Sequence, residues 1–404
     1  MLLVTGCGKD QDWDGSLETL LASQPERFGT ILGNPERYRV QIIYTQIDRD
    51  ADNRPTFRSY TYRLDPDEYF YPASTVKLPT AALALEKIND LDIDGLTRDS
   101  VMLTGVAFAG QSPALLDPTS PTGLPSVGQY VRKVLLVSDN DAFNRLYEFL
   151  GQEQLNHSLH AKGCTGSRII HRLEIALSVE ANRHTNPITF VSGDRAIYTQ
   201  GPVYASKLLT APVPIPLGQA EIVGGERLER PKDFADKNAY PLQEQHDVIR
   251  ALMFPESIPA GHRFRLTADD YAFLRHHMSM YPAESGIADY ADPASYPEAY
   301  VKFLMFGGDA AEIPDNIRIF NKVGDAYGFL TDAAYIVDFD NKIEFILAAT
   351  VYTNANQTFN DDDYEYEEIG RPFLRDLGQA IYEIELARER PRSPDLDRFR
   401  LHAN

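Results

Sequence analysis

The sequence predicts an α+β fold, with strands grouped towards the two ends of the chain and helices between and after them. Three observations carry this. Two β-branched, partly alternating runs stand at residues 38–47 and 57–64. Three more stand at 317–324, 329–339 and 343–352, joined closely enough to form an antiparallel meander. Ala- and Leu-rich stretches with apolar residues at helical spacing fill much of the rest.

In chain order, Gly8 to Gly15 is a polar tether. Leu17, Leu20, Leu21, Phe28, Ile31 and Leu32 recur at helical spacing despite Pro25. The two early strands follow, linked by the turn-rich residues 48–53. Tyr71-Pro72-Ala73-Ser74-Thr75-Val76-Lys77 then opens a helix that runs to Ile88, with Ser74 at the expected N-cap. Residues 91–128 are rich in Pro, Gly and Asp and read as loop. A helix at 127–137 runs into Ser138-Asp139-Asn140, and a further helix at 141–150 stops at Gly151.

Residues 182–262 depart in composition, with strand-like pieces such as Ala196–Thr199 between Pro-rich loops such as 211–216, and read as an elaboration. Thr267 caps a helix at 266–280, with early acidic residues. The late strands at 329–339 and 343–352 turn tightly at Asp340-Asn341. The acidic run Asp361–Asp363, with Glu365, Glu367 and Glu368, reads as a solvated loop. It lacks the ligand spacing of a calcium loop. A helix at 372–386 closes the domain, which spans 16–390, and the Arg/Pro-rich 391–404 reads as a disordered tail.

The chain has 404 residues, 43% of them hydrophobic, and a formal net charge of −20. That charge argues against nucleic acid and against an anionic membrane surface as partners. Two cysteines, Cys7 and Cys164, build neither a disulfide framework nor a metal cluster. His276 and His277 are adjacent on a helix and point in different directions, so they are poor co-ligands; no metal and no cofactor is expected. Met1-Leu2-Leu3-Val4-Thr5-Gly6-Cys7 resembles the end of a bacterial lipoprotein signal cut at Cys7. This resemblance implies a lipid on Cys7, attachment to the inner or outer membrane, and a place in the bacterial cell envelope, periplasmic or at the surface. Cys164 is then a lone thiol, expected to be buried and inert.

Ser74 and Lys77 are three apart on one helix face. A serine hydroxyl becomes a nucleophile when a neighbouring base takes its proton, and a lysine amine held neutral by burial is such a base. Backbone N–H groups at a helix start favour negative charge that develops nearby. Ser138, Asp139 and Asn140 equally suit a plain capping turn between two helices.

Ser74-x-x-Lys77, Ser138-Asp139-Asn140 and Lys322-Val323-Gly324 resemble, in order and context, the three signature motifs of the penicillin-recognising serine enzymes, class A β-lactamases in particular. The resemblance covers about residues 30 to 385, apart from 182–262. It implies a β-lactamase/transpeptidase-like fold in which strands from 38–64 and 315–353 form one antiparallel sheet beside a mostly helical lobe. It implies that Ser74 is acylated, that Lys77 is base or proton relay, that Ser138 passes a proton to the leaving nitrogen, and that Asn140 orients Lys77 and the substrate amide. Lys322 would hold the relay, with Gly324 and the N–H groups of Ser74 and Asp325 lining an oxyanion hole. Glu174, or failing it Glu180, would activate the deacylating water.

The third motif departs from the usual pattern. Val323 replaces a hydroxyl residue that binds the substrate carboxylate, and Asp325 adds negative charge beside it. The expected function is hydrolysis of a small-molecule or cell-wall peptide substrate, a β-lactam or related amide. The alternatives are a D,D-peptidase or esterase on the same fold, or a binding lipoprotein without turnover.

Overall fold

The computed structural model describes residues 16–309 and 312–401. The expected tether and the lipidation at Cys7 lie outside the described residues, as do the last three residues of the tail.

A five-stranded antiparallel sheet forms the centre: β1 (Gln41–Arg49), β2 (Pro55–Tyr62), β3 (Ile317–Ala326), β4 (Phe329–Asp338) and β5 (Ile343–Tyr352), in the order β3-β4-β5-β1-β2. The two distant strand groups meet where β1 pairs with β5, Thr45 opposite Ile346. Successive side chains point to opposite faces. On β3, Phe320 packs on one side of the sheet, Ile319 and Val323 on the other. Both faces are covered, which is why β4 and β5 read as nearly continuous apolar runs rather than alternating ones.

The longer helices are α1 (Leu17–Ala22), α2 (Pro25–Leu32), α3 (Lys77–Leu91), α4 (Val127–Leu136), α5 (Asn140–Leu150), α6 (Gln152–Ala161), α7 (Leu242–Met253), α8 (Ala268–Ser279) and α9 (Arg371–Ala387). Leu17, Phe28 and Ile31 from α1 and α2 and Phe373, Leu377 and Ile381 from α9 cover one face of the sheet. The helices from α3 to α8 build the lobe on the other. Thr267 caps α8 in a reciprocal capping box with Asp270, as the sequence predicts.

Several elements differ from expectation. The first helical run is two helices, broken at Ser23-Gln24, because Pro25 lacks the N–H a continuing helix needs and starts α2 instead. Within 91–128, Val101–Thr104 pairs with Ile188–Ser192, and that strand pairs in turn with Arg195–Gln200. Gly151 ends α5 but also opens α6. The stretch 182–262 is not all elaboration: α7 packs on the central sheet, with Val248, Ile249 and Leu252 in its core and His246 Nε2 at 2.8 Å from Thr45 Oγ1. The described part of the tail packs onto the lobe rather than lying free. Leu396 and Phe399 are buried, and the Phe399 ring sits 4.7 Å from that of Tyr335 and 5.8 Å from that of Phe254, sealing the lobe's lower edge.

Candidate active site

Four segments converge at the edge of the sheet. Ser74 lies in a 3-10 turn, Ala73–Val76, and α3 proper begins at Lys77. Ser74 therefore does not cap the helix; its Oγ is instead 2.8 Å from Lys77 Nζ. The turn is entered through Ala73 at φ 46, a left-handed conformation unusual for a residue with a Cβ.

Lys77 has no solvent exposure. Its Nζ also reaches Asn140 Oδ1 at 2.6 Å, Ser138 Oγ at 3.2 Å and the Ser138 carbonyl. Burial, and then the charge of Lys322, holds this amine well below the usual lysine range.

The second segment divides its labour. Asp139 caps α5, its carboxylate accepting from the Ala142 N–H at 2.7 Å. Ser138 and Asn140 on either side are thereby free to face the site. Ser138 sits at φ 58, which turns its carbonyl onto Lys77. A capping turn and a functional motif coexist in three residues.

From β3, Lys322 Nζ donates to Ser138 Oγ at 2.8 Å and to the Val323 carbonyl at 2.9 Å. Burial pushes the Lys322 amine down to about 7, against the opposing pull of Asp325 and Asp332. Gly324 brings the strand against the turn: a Cβ there would stand 2.5 Å from the Pro72 carbonyl oxygen and 2.9 Å from the Ser74 nitrogen. Val323 is buried on the sheet's far face and Asp325 is exposed beyond the glycine.

Glu174 completes the cluster. Its Oε2 accepts from Asn140 Nδ2 at 2.7 Å. The loop that carries it, 171–182, is closed at its neck by the Arg172 N–H donating to Asn182 Oδ1 at 2.9 Å. A buried pair between Arg172 and Glu148 at 2.9 Å and two bonds between Asn144 and the Leu173 backbone tie it to α5. Glu180 instead pairs with Arg183 and His184 at the surface. Sequence reasoning missed Asn144, Glu148 and Arg172 as the clamp, because it joins α5 to a loop distant in sequence and leaves no local signal. A cavity of about 390 Å³ lies behind Glu174, walled by Tyr71, His171 and Tyr327 among others.

Among the described residues no group of three or more His, Cys, Asp or Glu is placed to hold a metal ion. His277 packs against Phe273, and burial lowers its pKa to about 3. Cys164 is free and buried.

A family profile described as the β-lactamase enzyme family matches residues 36–204. The fold resembles that of a β-lactamase from Sphaerobacter thermophilus DSM 20745, with a TM-score of 0.50 at 13% identity, covering 90% of this chain and 95% of that one. It resembles PBP-A equally, with a TM-score of 0.50 at 15% identity, over 91% of this chain and 97% of that one. Over residues 36–204 the chain is thus similar to the β-lactamase enzyme family, and it shares its fold with both of these proteins. A search of curated proteins finds no match. In this fold, Ser74, Lys77, Ser138, Asn140 and Lys322 meet in one hydrogen-bonded cluster, with Glu174 attached to it through Asn140. Gly324 forms its floor.

Proposed function

We propose that the protein is a serine hydrolase that works through an acyl-enzyme on Ser74. The observation that carries this is the buried Lys77 amine, placed 2.8 Å from Ser74 Oγ in surroundings that favour its neutral form. Neutral Lys77 takes the Ser74 proton as Oγ attacks a carbonyl carbon. The N–H groups of Ser74 and Asp325 receive the developing oxyanion. Ser138 delivers a proton to the leaving group and regains one from Lys322 or Lys77, at 2.8 and 3.2 Å. Glu174, held by Asn140, then draws a proton from the water that attacks the acyl carbon, and that proton passes on to Ser74 Oγ as the ester bond breaks, restoring both groups.

The bond that ties Glu174 to Asn140 at 2.7 Å supports turnover over mere binding, because it joins a carboxylate able to act as base to the cluster. A second reading, an esterase or D,D-peptidase with little taste for β-lactams, is favoured by Val323 and Asp325, which leave no hydroxyl for a substrate carboxylate. If lipidated at Cys7, the enzyme works in the cell envelope on a small molecule or a wall peptide.

Intact mass followed over time after mixing with a penicillin, a cephalosporin and a fluorophosphonate tests this, with Ser74→Ala as control. A transient lactam adduct with accumulating product supports a β-lactamase. A lasting one supports a slow peptidase. Labelling by fluorophosphonate alone supports the esterase reading. No Ser74-dependent adduct with any of the three overturns the proposal.

A further inference from the structure

A second cavity, of about 580 Å³, lies between α4, α8 and the tail and shares no residue with the cluster around Ser74. Its charge runs against that of the chain. Acidic residues outnumber basic ones by 59 to 39 over the whole sequence, yet this wall carries Arg98, Arg132, Arg275, Arg398 and Arg400 against Asp269 and Glu284. Both carboxylates are already engaged, Asp269 by Arg98 at 2.6 Å and Glu284 by Arg318 at 2.7 Å. Glu256 and Asp397 take up Arg398 and Arg400, at 2.7 and 3.3 Å.

Two arginines remain short of negative charge. Arg275 donates to the Leu252 and Met253 carbonyls and has no carboxylate partner among the described residues. Arg132 meets Asp99 only at 3.6 Å, and Asp99 also faces Arg98 at 3.8 Å. Burial, with Arg398 beside Arg275 and Arg98 beside Arg132, holds both guanidiniums below the usual arginine range, against the pull of Asp99 on Arg132. An arriving anion relieves such crowding of like charge. His277, only 8% exposed, lines the same cavity. Its Nδ1 is 2.8 Å from the Phe273 carbonyl, which can only accept, so Nδ1 carries the proton. Nε2, on the other side of the ring, faces away from the helix with a bare lone pair and no hydrogen-bond partner among the described residues. The Phe273 ring brings His277 and Arg132 together, at 4.4 Å from the imidazole and 5.3 Å from the guanidinium. Leu136, Phe320 and Phe399 give the wall an apolar part.

The cavity thus offers positive charge, one buried acceptor and an apolar surface. A carboxylate suits the charge but sets lone pair against lone pair at Nε2. The monoanion of a phosphate monoester satisfies both groups, with P–O⁻ for the guanidinium and P–OH for Nε2. We propose that this cavity binds a small organic phosphate monoester with an apolar body, held by Arg132 and His277 in the field of Arg275. Such binding is independent of acyl transfer at Ser74.

Isothermal titration calorimetry with phenyl phosphate, benzoate and benzyl alcohol tests this, at a pH near the second phosphate pKa of about 6. Phenyl phosphate is expected to bind once per chain, at least about tenfold more tightly than either of the others. Arg132→Gln should weaken it by about tenfold, and His277→Asn, which keeps a donor for the Phe273 carbonyl, by about threefold. Lys322→Met, at the Ser74 cluster, should leave the affinity as it is. The absence of saturable binding up to about 10 mM phenyl phosphate overturns the inference. So does benzoate that binds as tightly, or an affinity that Lys322→Met lowers and Arg132→Gln does not. Should a variant fail to fold, the His277 ring signals in NMR spectra of the unaltered protein decide. Phenyl phosphate must shift them, and signals that stay in place overturn the assignment.

Discussion

Gly324→Ala is the sharpest structural perturbation of the site, because the glycine is needed for space rather than for its backbone angles. The added Cβ would stand 2.5 Å from the Pro72 carbonyl oxygen and 3.0 Å from the Thr75 nitrogen, both backbone atoms that cannot swing aside. An unstrained carbon–oxygen contact is about 3.3 Å, so β3 and the Ser74 turn must separate by about 0.8 Å. Misplacement by about 1 Å costs about a hundredfold in a reaction that depends on alignment. The second-order rate of Ser74 labelling by a fluorophosphonate should therefore fall about 40-fold, scaling from that same figure. Overpacking should also lower stability by about 1–3 kcal/mol. Ile336→Val, on the sheet's far face, removes comparable stability and should leave the labelling rate alone. If Gly324→Ala labels within about twofold of the parent rate, less than the alignment argument allows, the contact between β3 and the turn does not position the nucleophile.

Three other outcomes follow from the same structure. Glu174→Gln keeps an acceptor for Asn140 but loses the base, so deacylation should slow by about 10²–10⁴-fold and the acyl-enzyme should accumulate in intact mass spectra. Lys302, fully buried and bonded to the Met278 and Ile319 carbonyls and to Asn321, is pushed down to about 7 by burial. The unfolded chain binds its proton up to the ordinary lysine range while the folded one does not, so stability should climb as pH rises from 7 towards 10. In urea melts Lys302→Met should flatten that climb by up to about 1.4 kcal/mol per pH unit. Cys164, raised to about 12 by burial, should resist thiol reagents at pH 8 in the native protein and react fully once urea unfolds it.

Much of the site is legible in the sequence because its parts are local. The three-residue step from Ser74 to Lys77 puts both on one face whatever else the chain does. Lys322 and Gly324 take opposed duties from a strand edge, which their alternation with Val323 already encodes. The choice between Glu174 and Glu180 is not legible. Both are exposed carboxylates on one loop, and only Asn140, contributed by another element, selects Glu174. Nor is the clamp of Arg172 on Glu148, which joins two segments through the core. Helix α7 escapes notice because Leu242, Val248, Ile249 and Leu252 are spaced among Gln, Glu and Asp residues within a stretch of otherwise irregular composition. The tail misleads for a similar reason. Leu396 and Phe399 are isolated apolar residues in a charged run, and their burial depends on a gap between Phe254, Phe320 and Tyr335 that only the folded lobe presents.

Ser74 acts, in the proposed mechanism, as a nucleophile activated by the buried Lys77 amine. Fluorophosphonate labelling of the unaltered protein and of Lys77→Met, with the adduct mapped by peptide mass spectrometry, tests that directly. The expected adduct is on Ser74 alone, formed at least about a hundredfold more slowly when the amine is absent. An adduct on another residue, or an undiminished rate in Lys77→Met, would contradict it.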